Sequence, residues 1–346
     1  MKAHPCSARS FGAAILTFAI LAVLSPADCR ATFSIDAVDS YNRQVGSAGA
    51  SCISGAIILS DVHPGVGVVH TQAYWNGTNQ AYARSLMDRG IAPQAIIDSL
   101  VAHDAQHNPS IRQYGIVDLF GGGRSAAYTG SGCSDWKGHI TGANYSIQGN
   151  ILLGPQIVQN METRFNATLG SLADKLMAAL QAAKVPGADT RCTQYGKSTI
   201  SAFLRVANPG DPTNDLYIDL NVNNTPPSQD PIDLLQVLYD DWRMQAASVD
   251  GNGPAPERRG FITSAPNPFA GATVIRYRVP VEGRTTLRVL DTSGREVGRL
   301  VDAVQAPGLY AIGWEPDRAL PDGVYFCSLQ TGRGIQTRRL LLLQSE

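Results

Sequence analysis

Thr32 follows a stretch of chain built for removal. Lys2 and Arg9 give a positive start, and Phe11 to Leu24 is an unbroken apolar run. Cys29-Arg30-Ala31 then places small residues at the −3 and −1 positions of a signal-peptidase site. Cleavage after Ala31 makes Thr32 the first residue. Such a threonine carries a hydroxyl nucleophile and, in its own α-amine, a base with a pKa of about 7.7–8.0. A second site at Ser25-Pro26-Ala27 would leave Asp28 first instead, and both cuts remain open. A lipoprotein cut at Cys29 is disfavoured by acidic Asp28, where a small residue belongs.

Other residues could serve the same chemistry. Gln148-Gly149-Asn150 offers the Asn150 side-chain amide and the Gly149 N–H as an oxyanion hole, where negative charge develops during acyl transfer. The competing reading is a strand-to-helix junction with Asn150 as a cap. His139 after Gly138 suits a proton carrier or a structural histidine. His70 and Gln72 end a strand beside an expected cleft and, with Gln148, are assigned to substrate binding. His103 and His107 have the spacing of a metal-binding helix face but lack the glutamate of HExxH, so no metal and no cofactor is expected.

Six cysteines are present, and Cys6 and Cys29 leave with the signal. An exported protein permits disulfides among Cys52, Cys133, Cys192 and Cys327. Cys327 lies in a separate block, and Cys133 to Cys192 is the expected bridge. The competing reading keeps all four as small buried residues.

The elements that position these residues fall into two blocks. The polar run Ser248 to Arg259 divides 32–247 from 260–346, and the second block has many arginines and no lysine. In the first block, strands are expected at Thr32–Val38, Gln44–Leu59, Val66–Ala73, Arg112–Asp118, Arg124–Thr129, Thr199–Val206 and Leu216–Asn221. Helices are expected near Asn79–Asp88, from Pro93, at Gln156–Phe165, Leu169–Ala183 and Pro231–Met244. Paired strands interrupted by paired helices argue for an α+β layered fold. The second block shows only short strands, from Thr273–Val279 to Gln336–Leu343, the pattern of a small β-sandwich. Two independently folded units are expected. The four leucines Leu340–Leu343 are too short to span a membrane. A net charge of −1 gives no sign of nucleic-acid binding.

Thr32-Phe33-Ser34-Ile35, Gly65 to Tyr74, Arg112 to Asp118, Tyr128-Thr129-Gly130, Gly138-His139 and Ser146 to Leu152 occur in this order. Together they resemble the family of domain of unknown function 1028. That family looks like the N-terminal-nucleophile hydrolases, which implies a four-layer α-β-β-α sandwich with Thr32 as nucleophile. Asp189 and Arg191 resemble a family Asp-Arg motif, implying capture of a substrate carboxylate or a mutual ion pair. Two departures stand out. Ser51-Cys52 occupies the place where many relatives carry Ser-Lys or Ser-His. Asn221-Val222-Asn223-Asn224-Thr225 stands where a charged Arg-Val-Asp-Asp-His-like stretch is typical. In the second block, Pro266-Asn267-Pro268-Phe269, Gly308-Leu309-Tyr310, Trp314 and Gly323-Val324-Tyr325-Phe326 resemble the type IX secretion sorting domain or the related flagellar hook-capping-type Ig-like module.

The resulting expectation is an exported amide-bond hydrolase acting on a small-molecule or peptide-like substrate. Its C-terminal block engages secretion machinery, and homo-oligomerisation is left open. The alternative is a surface protein that keeps the fold for binding without turnover.

Overall fold

The computed structural model describes residues 32–226, 229–248, 262–332 and 334–343. The expected signal segment and all but Ser248 of the expected linker lie outside them.

Strand β1 (Thr32–Asp39) alternates strictly. Phe33, Ile35 and Ala37 join a large apolar core, whereas Thr32, Ser34 and Asp36 point the other way and are equally buried. The same alternation runs through its neighbours β2 (Gln44–Ser51) and β8 (Tyr145–Asn150). The apolar faces meet helices α3 (Gln156–Ala167) and α4 (Leu172–Ala183), which contribute Met161, Leu172, Leu176 and Leu180 to that core. A Cβ on Gly46 would lie 2.6 Å from Leu176 Cδ1, so glycine there sets the close approach of α4. Ser171 and Asp174 form a capping box that starts α4. Helix α5 (Pro231–Ser248) packs on β9 (Ser201–Ala207) and β10 (Ile218–Asn224).

A second sheet is built from β3 (Ser60–His63), β4 (Gly67–Ala73), β5 (Arg112–Asp118) and β6 (Arg124–Thr129). Helices α1 (Gly77–Met87) and α2 (Pro93–Ala102) cover its outer face, burying Leu86, Ile96, Ile97 and Leu100 against Val69, Tyr114 and Ile116. Its inner face meets the polar face of β1 and β8. The stretch Gln44–Leu59 is not one strand. β2 ends at Ser51, Gly55 turns at φ 74°, and Ala56–Leu59 forms a 3-10 turn leading into β3.

The C-terminal block contains β11 (Ile262–Ala265), β12 (Thr273–Val279), β13 (Gly283–Leu290), β14 (Glu296–Gln305), β15 (Gly308–Trp314), β16 (Gly323–Thr331) and β17 (Gly334–Leu342). β14-β13-β16-β17 form one sheet, facing β12 and β15 across an apolar core that includes Tyr277, Leu287, Val289, Leu329 and Leu340. β15 also pairs in parallel with β10, aligning Leu220 with Leu309 and Val222 with Ala311. The long sheet therefore runs β11-β12-β15-β10-β9-β2-β1-β8-β7, with β7 being Gly138–Thr141. Val274, Leu309 and Ala311 enter the first block's core, so the two blocks share a sheet and part of a core. Among the described residues no helix is long and apolar enough to cross a membrane.

Candidate active site

Thr32 begins β1 on the face turned toward the second sheet. Its hydroxyl donates to Ser51 Oγ, at the end of β2, over 3.3 Å. Arg191 Nη2 donates to the same Ser51 oxygen over 3.4 Å. The place beside Ser51 that lacks a cationic neighbour in sequence thus receives one from a distant loop. Asp189 is fully buried and holds Arg191 through its N, Nε and Nη2 atoms, and it also accepts from the Cys52 N–H at 2.8 Å. Asp189 and Arg191 are thus mutually paired, while 29 % of the Arg191 side chain remains exposed.

The expected Cys133–Cys192 bridge is not the one formed. Cys52 is bonded to Cys192, with Cα atoms 5.7 Å apart, inside the range a disulfide spans. Cys133 is a buried free thiol that donates to Arg112 O, at the end of the second sheet. The observed bridge pins the turn at Thr190–Tyr195, and with it Arg191, to the end of β2. Sequence alone gave no distance by which to prefer Cys52, because 140 residues separate it from its partner.

Asn150 lies directly opposite Thr32 in the β1–β8 ladder and shares its inward face. It closes a strand rather than capping a helix. Its amide is oriented by Gln113, which in sequence is marked only by lying within the Arg112–Asp118 motif. Gln113 Nε2 donates to the carbonyls of Gly138 (3.1 Å) and Gly149 (2.9 Å), so Gln113 Oε1 must be the acceptor. It receives Asn150 Nδ2 at 3.0 Å and Gln72 Nε2 at 2.7 Å. One Asn150 N–H is therefore spent, and Asn150 Oδ1 is left buried without a hydrogen-bond partner. Gly149 sits within the ladder between Phe33 and Gly138, which places its backbone in the sheet rather than at an open oxyanion site.

His70, Gln72 and Gln148, read from sequence as substrate contacts, are instead spent on one another between the sheets. Gln148 Nε2 donates to Ser34 Oγ (2.8 Å) and Asp36 Oδ1 (2.9 Å), and Ser34 Oγ donates to Gln72 Oε1 (2.7 Å). His70 bonds Ser34 through Nδ1 and Ser47 through Nε2. Gln148 reaches across because Gly115 has no side chain: a Cβ there would lie 2.2 Å from Gln148 Oε1. Burial drives the His70 pKa down to about 3, with Arg205 adding to the effect, so the ring is neutral. Burial also raises the Asp36 pKa well above the usual carboxylate range, against the Gln148 hydrogen bond.

His139 is not next to Thr32. It lies on β7, separated from β1 by β8, and its exposed ring bonds Thr129 Oγ1 at 2.8 Å. The chain Thr129–Gln113–Asn150 connects it to the Thr32 region. Packing around the ring lowers its pKa from the ordinary histidine value. His103 bonds the Ser99 carbonyl, and among the described residues no group of three or more His, Cys, Asp or Glu could hold a metal.

Residues 32–235 match the family of unknown function (DUF1028). The chain belongs to this family. Protein SPO2555 from Silicibacter pomeroyi, a solved member, superposes with a TM-score of 0.51 at 24 % identity, covering 64 % of this chain and 91 % of its own. That likeness concerns the fold. Dimeric latent PorU from Porphyromonas gingivalis aligns over 42 % of this chain and 12 % of its own, at 16 % identity and a TM-score of 0.20, too loose to carry an argument. No curated protein matches the sequence.

Proposed function

We propose that this family member is an exported amide-bond hydrolase with Thr32 as its N-terminal nucleophile, on a four-layer α-β-β-α sandwich. The observation that carries the reading is the row Thr32 Oγ1–Ser51 Oγ–Arg191 Nη2, opposite Asn150. Cleavage after Ala31 turns an amide nitrogen into a free amine. That amine takes the Thr32 hydroxyl proton as Oγ1 bonds to the substrate carbonyl carbon. It then returns the proton to the leaving nitrogen as the C–N bond breaks. Water, deprotonated by the same amine, releases the acyl group. The Arg191 charge, relayed through Ser51, favours the alkoxide and the tetrahedral anion. The second Asn150 N–H is an oxyanion donor in this scheme, and His139 has no direct part. The C-terminal block serves as the sorting domain for export.

Mass spectrometry of the secreted protein is expected to find Thr32 first, with a β-lactone probe acylating it. Thr32→Ala abolishes labelling, and Thr32→Ser keeps part of it. Reducing the Cys52–Cys192 bridge slows labelling, because Arg191 loses its tether. A native chain that begins at Asp28, or one that begins at Thr32 and resists labelling, overturns the reading.

A further inference from the structure

Two walls stand on one face of the long sheet. One is the Ala56–Leu59 turn that leads into β3, and the other is the end of β14. Between them lies a cleft of about 290 Å³. This is near the lower limit for a small-molecule site. Its floor is Arg205 from β9, Asp219, Asn221 and Asn223 from β10, and Tyr310 from β15. Ile57 and Val304 supply apolar walls. The cleft exists because β15 docks on β10, which brings β14 opposite the first block.

The floor is polar but carries no unbalanced charge. Arg205 and Asp219 pair at 3.3 Å, and Arg205 also donates to Ser60 O. The remaining floor side chains are amides and a tyrosine. Asn221 Oδ1 is buried without a hydrogen-bond partner, although Asn221 is only 3 % exposed. Arg205 Nε, within ion-pair range of Asp219, also lacks an aligned acceptor. Asn221 and Arg205, the residues that carry these two atoms, line the same space. A buried acceptor left unpaired is costly, so a group that satisfies it has a ready gain.

We propose that this cleft binds an uncharged, hydroxyl-rich ligand, a saccharide. A hydroxyl donates and accepts at once, matching the Asn221 and Asn223 amides and the Tyr310 hydroxyl on one floor. The closed Arg205–Asp219 pair leaves no spare cation for phosphate or carboxylate. The C–H face of a sugar ring packs on Ile57 and Val304. The site is separate from Thr32 and does not depend on its chemistry.

Calorimetric titration of the full mature chain tests this with maltose and diacetylchitobiose, against glucose 6-phosphate and glucuronate. At least one neutral sugar is expected to bind with a Kd of about 1 mM or tighter. The charged sugars should bind about tenfold more weakly or not at all. Asn221→Leu should weaken binding at least about tenfold while the melting temperature holds or rises, because an unpaired acceptor has been removed. Val304 is 71 % exposed, so Val304→Arg should fold normally and obstruct the cleft. Thr32→Ala should bind as the parent does. The proposal fails if neither neutral sugar binds at about 20 mM, leaving a cleft that holds only water. It also fails if the charged sugars bind as well, or if Asn221→Leu and Val304→Arg bind like the parent.

Discussion

Among the described residues there are two places where sheet packs on sheet, and they differ in how much of the filling is polar. In the C-terminal block the interface is Tyr277, Leu287, Val289, Leu329 and Leu340, the ordinary filling of a sandwich. Between the long sheet and β3–β6, much of it is Ser34, Asp36, Ser47, His70, Gln72, Gln113 and Gln148, each at most 1 % exposed. The first interface needs only apolar volume. The second needs each amide and hydroxyl to find its partner, and so it fixes orientation as well as distance. The Gln113–Asn150 bond is an example: two backbone carbonyls set one amide, which then sets the next. The contrast teaches that polar packing is concentrated beside Thr32, while apolar packing holds the block attached to the sheet edge.

The comparison breaks most directly at the seam between the two regions. A chain ending at Ser248 loses Val274, Leu309 and Ala311 from the core and uncovers the β10 edge. Burying one Leu or Val contributes roughly 1.5–3 kcal/mol, so the loss is expected to be about 3–5 kcal/mol. The bare edge should also promote self-association. Calorimetry and light scattering check this. A truncated chain that stays monomeric with an unchanged melting temperature would show that the shared sheet contributes little.

Gln113→Leu sharpens the contrast at a single residue. It strands Asn150 Nδ2, Gln72 Nε2 and the Gly138 and Gly149 carbonyls in a closed interior. A cost of about 2–4 kcal/mol is expected, since each unsatisfied buried group costs about 1–3 kcal/mol and partial relaxation recovers some of it. Leu329→Met, in the apolar interface, should cost less than about 1.5 kcal/mol because volume is kept. Urea titrations of both variants give the two values. Equal losses would mean that the polar interface is no more exacting than the apolar one.

The same contrast explains what the sequence discloses. Strands β5, β6 and β12 are legible to the residue, and so are the starts of α2, α3 and α5, because period and proline placement are local signals. Strand alternation puts Thr32, Ser34 and Asp36 on one face and does not say what that face meets. Only a second sheet, from residues far along the chain, buries it. His70, Gln72 and Gln148, expected from sequence to touch substrate, are buried between the two sheets for the same reason. Ser51, Gln113 and the Cys52–Cys192 bridge depend on long-range register and had no local signal beyond polar residues on an alternating strand. Strand β11, only four residues with intermediate burial at best, left too little pattern to detect.

The smallest expected effect concerns Asp36, and its sign is specific. Burial raises the Asp36 pKa, so the folded state keeps a proton that the unfolded chain gives up near the ordinary carboxylate value of 3.8. A raised carboxylate contributes stability that is fully present below 3.8 and is lost as pH climbs toward the folded pKa. His70, pushed down to about 3, works the opposite way: its contribution is present above 6.5 and is lost as pH falls. The two slopes oppose each other between 3.8 and 6.5, and above 6.5 the His70 contribution is constant. His63, raised by Asp61 and Asp88, also loses stability as pH rises, but it is unchanged by a substitution at Asp36. Asp36→Asn mimics the protonated acid and keeps the acceptor for Gln148 Nε2. Between 3.8 and the folded Asp36 pKa the parent should therefore lose stability relative to Asp36→Asn, by at most about 1.4 kcal/mol per pH unit, until Asp36 itself ionises. Urea unfolding over a pH series starting at 3.8 measures the divergence. Curves that stay parallel over the whole series would mean that Asp36 ionises as readily in the folded protein as in the unfolded chain, and that the interface tolerates a charge as well as it tolerates an amide.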